Sequence, residues 1–94
     1  MGPEGKVKLK VKTLLQKYQA YYHMPVQNGM GAPSLDFIGS YKGYFFAVET
    51  KAPGKKPTPR QEVTIETIRA AGGAVFVIDG DTSHLVAWLE LLRF

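Results

Sequence analysis

Apolar residues in the first quarter of the chain fall on one side of a helix. Val7, Val11, Leu14, Leu15, Tyr18 and Tyr22 are spaced i, i+4, i+7, i+8, i+11 and i+15, with lysines filling much of the rest. The run Lys6-Val-Lys-Leu-Lys-Val-Lys12 alternates with period two and would suit a strand by itself. The longer window decides for a helix over residues 4–22, ended by Met24-Pro25. Residues 25–34 read as a loop with a short strand at its start. A hairpin follows: one arm over residues 35–39, a turn over 40–43, and a second arm, YFFAVET, over 44–50. That second arm is almost continuously apolar, as a central strand is. Residues 52–58 form a Pro/Gly/Lys loop. Thr58, Pro59 and Gln61 then compose a capping box with proline at the first helical position. Val63, Ile65, Ile68 and Ala71 supply the apolar positions of this helix, and Gly72-Gly73 stops it. Residues 74–78, AVFVI, read as a buried strand, parallel to the preceding one through a right-handed crossover. Asp79-Gly80-Asp81 turns the chain, and Thr82 or Ser83 caps a last helix through about Leu92, with Leu85, Trp88, Leu89 and Leu92 apolar. The pattern predicts an α/β fold: a mixed sheet of about four strands flanked by helices.

Composition narrows the classes. Ninety-four residues suit one domain, taken as 1–94, and a 45% hydrophobic content excludes a disordered tail. No apolar run approaches the roughly 20 residues of a membrane span. The lysine-rich first ten residues lead into no apolar signal core, so no membrane partner and an intracellular location are expected. The absence of cysteine rules out disulfides and thiolate zinc sites, and His23 and His84 do not form a helical zinc pair. A metal here would need oxygen ligands, which favours magnesium or manganese. Charge is unevenly placed. Residues 1–20 carry five lysines against one acid, whereas the remainder is balanced. A basic segment of this kind suits either contact with a polyanion or a solvated helix face.

Candidate chemistry gathers around the hairpin. Glu49 and Lys51 are two apart on a strand and so project to one face, and the hairpin can bring Asp36 beside them. Two adjacent carboxylates repel, and a divalent cation resolves the conflict. A lysine alongside can contact a phosphate oxygen or hold an attacking water. The same residues also suit an ordinary salt bridge at a strand end. Lys55, Lys56 and Arg60 follow directly, and Lys6, Lys8, Lys10, Lys12 and Lys17 on the first helix could extend the same basic track. They suit backbone phosphate contacts or a solvated surface. Tyr41 and Tyr44 near the turn suit stacking on a nucleic acid or packing, while His23, His84 and Trp88 are assigned to packing or surface. There is no Ser/His/Asp set, and Gly54-Lys55 lacks the context of a phosphate loop.

Taken in order, Gly31-Ala-Pro-Ser-Leu-Asp36-Phe-Ile-Gly39, Ala47-Val-Glu49-Thr-Lys51, Pro57-Thr-Pro-Arg-Gln61 and Ile68-Arg-Ala-Ala-Gly-Gly-Ala-Val-Phe-Val-Ile78 resemble the virus-type replication-repair nuclease (VRR-NUC) family. That family is a branch of the PD-(D/E)XK nucleases, and the resemblance runs from Glu4 to about Asp79. One departure is visible: the family's Pro-Asp pair reads Leu35-Asp36, with Pro33 three residues upstream of the aspartate. The resemblance implies a restriction-endonuclease-like αβββαβ core, in keeping with the order read from the pattern. It implies Mg2+ or Mn2+ held by Asp36, Glu49 and the Thr50 backbone carbonyl, with Glu4 on the first helix a weaker match. Lys51 would position the attacking water, and Gln61 would stand beside the site, although the capping box explains Gln61 equally well. The implied activity is hydrolysis of DNA phosphodiester bonds to 5′-phosphate and 3′-hydroxyl ends, at four-way (Holliday) junctions or other branched DNA. It would be carried out by a homodimer, in the bacterial host cytoplasm if phage-encoded. Cutting both strands needs two sites related by a two-fold axis. The candidate dimer surfaces are the last helix, with Trp88, Leu89, Leu92 and Phe94, and the apolar hairpin. Two alternatives stand beside this reading: a non-catalytic DNA-binding or assembly module that keeps the fold, and a nicking or repair nuclease subunit with another DNA substrate.

Overall fold

Helix α1 (Pro3–Lys17) leads into strands β1 (Tyr21–His23), β2 (Phe37–Tyr41) and β3 (Tyr44–Thr50). Helix α2 (Pro59–Ala70), strand β4 (Ala74–Ile78) and helix α3 (Ser83–Leu92) complete the order. The computed structural model describes residues 1–26 and 33–94. The expected loop over 25–34, with the start of the Gly31 motif, therefore lies largely outside the described residues. One mixed sheet has the order β1-β2-β3-β4. The first two pairings are antiparallel and β3–β4 is parallel, with Thr50 opposite Ile78.

The sheet is buried on both faces, which is why β3 reads as nearly continuous apolar sequence. On one face Val7, Val11 and Leu15 of α1 and Leu85 and Leu89 of α3 pack on Phe37, Phe46, Val48 and Ile78. On the other, Ile65 of α2 packs with Leu35, Ala47 and Val75. Removing side chains of this size from water contributes about 1.5–3 kcal/mol each. Trp88 is wedged among Tyr41, Phe46 and Phe76, with ring centroids 5.5–6.1 Å apart.

Three boundaries differ from expectation. α1 stops at Lys17 instead of running to Tyr22, and residues 21–23 form β1, so the short strand lies earlier than predicted. The stop is a Schellman turn: Ala20 N–H donates to Leu15 O and Gln19 N–H to Gln16 O, at 3.0 and 3.1 Å. The left-handed residue is Gln19, at φ 60°, where sequence reading looks for glycine. α2 closes the same way, Gly73 N–H on Ile68 O and Gly72 N–H on Arg69 O, but with Gly72 in the left-handed position. The hairpin turn is also shorter than expected. Ser40 and Tyr41 belong to β2, and only Lys42 and Gly43, both at positive φ, make the turn. Finally, neither Thr82 nor Ser83 caps α3 with its side chain. Thr82 is not extended (ψ 8°), and the Asp81 carboxylate accepts from Ser83 N–H at 2.9 Å instead. The capping box at Thr58 and Gln61 forms as predicted.

Candidate functional site

β3 carries Glu49 to its buried end, and Lys51 follows on the same face. β2 starts antiparallel beside it, with Phe37 opposite Val48, so Asp36 arrives across from Glu49. The α2 crossover runs back along the sheet, setting Arg60 and Gln61 at the end where β3 finishes. The first half of α1 stands at this end too: Lys8 Nζ lies 3.7 Å from Asp36 Oδ1, and Lys10 Nζ donates to Gly80 O at 2.8 Å.

Asp36 terminates the β2–β3 ladder with its side chain. Oδ2 accepts from Thr50 N–H at 2.9 Å and from Thr50 Oγ1 at 2.7 Å, short enough for charge-assisted bonds. Lys51 N–H turns the other way, to Ile78 O on β4. The N–H and C=O of a strand residue point to the same side, so the Thr50 carbonyl faces the Asp36 side of β3. Thr50 thus holds Asp36 by two donors and brings a hard oxygen to the same corner.

Glu49 is only 3% exposed and has Lys51 Nζ 3.8 Å from its Oε2. Burial, and then the neighbouring Asp36 charge, push its carboxyl from the ordinary 4.5 up to about 7. The Lys51 ammonium and the Asp36 backbone N–H pull the other way, and Glu4 adds a small upward push. A divalent cation between Asp36 and Glu49 would relieve this repulsion, so the donors present, two carboxylates and a backbone carbonyl, fit Mg2+ or Mn2+. Among the described residues no three acids or histidines form a ligand cluster. Such an ion would therefore keep water or substrate oxygens, as magnesium commonly does.

The structure brings Asp36, Glu49, Thr50 and Lys51 together. Glu4 is exposed in the first turn of α1 and reaches Glu49 through its charge only, outside any ligand group. The Gln61 side chain accepts from Thr58 N–H at 2.9 Å, and no hydrogen bond joins it to Asp36, Glu49 or Lys51. Lys55, Lys56 and Arg60 are exposed on the loop and first turn beside the site, and Lys6 is exposed on α1. The Lys10 ammonium already has the Gly80 carbonyl. Tyr41 and Leu89 are buried in the chain's own core, which removes them as stacking or dimer residues, whereas Tyr44 is exposed. Sequence reading places Lys8 only among the basic residues of the first helix and does not anticipate its pairing with Asp36, which joins positions 28 apart. No helix among the described residues is long and apolar enough to cross a membrane. Against family models and curated proteins, the chain has no match.

Proposed function

We propose that the protein is a metal-dependent DNA endonuclease resembling the VRR-NUC family. The observation that carries this reading is the meeting of Asp36, Glu49 and Lys51 at one sheet end, joined through Thr50. The mixed sheet and helix order also match the αβββαβ core that the resemblance implies. Asp36 and Glu49, with the Thr50 carbonyl, would hold Mg2+ or Mn2+, which when bound lowers the pKa of water and offsets charge on the phosphate. Lys51 is a point charge with three donors, suited to hold a water for in-line attack or to grip a non-bridging phosphate oxygen. Lys55, Lys56 and Arg60, on the surface beside it, suit flanking phosphates. Four-way or other branched DNA is the substrate we assign, inside the cell. A homodimer would supply the second site, joined through the hairpin face, where Tyr21 and Phe45 are exposed on the same side of the sheet.

One observation favours a second reading, a DNA-binding module without catalysis. Each carboxylate already has a lysine beside it, at 3.7 and 3.8 Å, so the cluster keeps an ion-pair partner for each acid without a metal. A labelled four-way junction and a linear duplex of the same sequence, each incubated with magnesium, manganese, calcium or EDTA, separate the two. Paired cuts near the branch that vanish in EDTA and in Lys51→Ala are expected. Equal cutting of the linear duplex would remove the branch preference, and tight binding without cutting in any metal would leave the binding module.

A further inference from the structure

Asp36 uses its two oxygens differently. Oδ2 is held by the Thr50 N–H and hydroxyl, at 2.9 and 2.7 Å. Oδ1 faces Lys8, whose Nζ is 3.7 Å away. That separation is an ion pair without the length of a good hydrogen bond, and the Lys8 side chain is 36% exposed. The backbone beneath it is fixed. Val7 and Val11 are buried on either side, and Lys10 ties this stretch of α1 to the turn after β4. Only the flexible four-carbon stem of Lys8 is free to move.

A divalent ion held by Asp36 has Oδ1 as its open oxygen, because Thr50 occupies Oδ2. It would then stand next to the Lys8 ammonium, and two like charges cannot share one carboxylate oxygen without loss. A displaced ammonium at that position is within reach of whatever anion the ion brings with it. We propose that Lys8 is the resident counter-ion of Asp36 Oδ1 in the metal-free protein, and that it transfers to a phosphate of the nucleic acid when a divalent cation takes that oxygen. This rests on the reading of Asp36 and Glu49 as a metal-holding pair. It makes Lys8 a competitor of the metal in the free protein and an ally of the nucleic acid in the loaded one. The other lysines of α1 differ: Lys10 is paired with a carbonyl, and Lys6 is exposed on the helix surface.

The two roles give opposite signs in one variant. Lys8→Met, with Lys6→Met as a control for the same charge change, is compared with the wild type. Mn2+ binding is measured calorimetrically without DNA. Binding of a labelled four-way junction is measured by anisotropy in calcium over a range of salt. Lys8→Met is expected to bind Mn2+ about two- to fivefold more tightly, the size of a lost partly exposed ion pair. It is expected to bind the junction more weakly, with the slope of log affinity against log salt reduced by about one. Lys6→Met should leave Mn2+ affinity unchanged. Unaltered or weaker Mn2+ binding by Lys8→Met overturns the competition, and an unaltered salt slope overturns the transfer to phosphate. A wild-type protein that takes up no Mn2+ overturns the metal reading itself, an outcome distinct from either of these.

Discussion

Replacing Glu49 by glutamine tests the electrostatics of the site without any substrate. In the metal-free protein the Glu49 carboxyl is pushed up to about 7 by burial and by Asp36, against an ordinary 4.5 in the unfolded chain. Between those values the folded state holds a proton that the unfolded state releases. The wild type should therefore lose stability as pH rises from 4.5 to about 7, and the loss should be complete above the folded value. At 1.36 kcal/mol per pH unit that window corresponds to about 3 kcal/mol, an upper figure because the protein relaxes around a buried charge. Glu49→Gln cannot ionise, so its profile should be flat through the window. In EDTA the variant should match or fall slightly below the wild type near about pH 5 and exceed it by about 1–3 kcal/mol near about pH 8. The readout is urea unfolding followed by Trp88, the single tryptophan, which sits among three core rings. Mg2+ added to the wild type below the folded value should release protons, because the bound form needs the carboxylate. Parallel profiles for the two proteins in EDTA would refute the assignment of a strained, buried carboxyl.

Two further predictions concern the frame that holds the site. Gln19→Gly should stabilise the protein by about 1 kcal/mol in urea unfolding, because a left-handed φ of 60° is costly for a side chain and free for glycine. Destabilisation there would mean that Gln19 makes contacts outweighing its backbone strain. Gly39→Ala should cost about 1–3 kcal/mol, since a Cβ at that position runs into the Tyr21 carbonyl and the Tyr22 Cα of β1. Hydrogen exchange should then rise at β1 before β3, and uniform loss of protection would argue against a local clash.

The parts of the fold that were legible are those with local, chemically distinct signals. Thr58-Pro59-Arg60-Gln61 announces a helix start because proline, hydroxyl and amide each satisfy a specific backbone need, and Gly72-Gly73 announces its end. Glu49 and Lys51 could be placed on one face because strand alternation is rigid. The misread boundaries had the right geometry carried by unusual residues. Gln19 does at the end of α1 what Gly72 does at the end of α2, and Lys42 enters the hairpin turn at φ 52° where asparagine is the usual signal. The periodic apolar pattern ran on through Tyr18 and Tyr22 because both pack against the same core from different elements, so periodicity alone carried the helix too far. Lys8 was illegible for another reason. Its partner is fixed by the docking of α1 on the sheet, and nothing within a helical turn of either residue encodes that.

The basic segment changes meaning once these partners are known. By sequence, five lysines in residues 1–20 suit either contact with a polyanion or a solvated helix face. Lys8 and Lys10 have partners inside the fold, and Lys17, in the last turn, lies over the Tyr18 ring. At about 1.5 Å rise per residue, Lys17 is also some 16 Å along the helix from Lys6, away from the end where Asp36 and Glu49 meet. The exposed positive charge on the chain directly after β3 is contributed by Lys55, Lys56 and Arg60, on the loop and the first turn of α2. Asp36 and Glu49 each have a lysine beside them, at 3.7 and 3.8 Å, so under the proposed metal-binding reading loading would exchange internal ion pairs for an ion and a phosphate. An arrangement that gave up no internal pair on loading would bind metal more tightly but would have no lysine left to hand to the substrate.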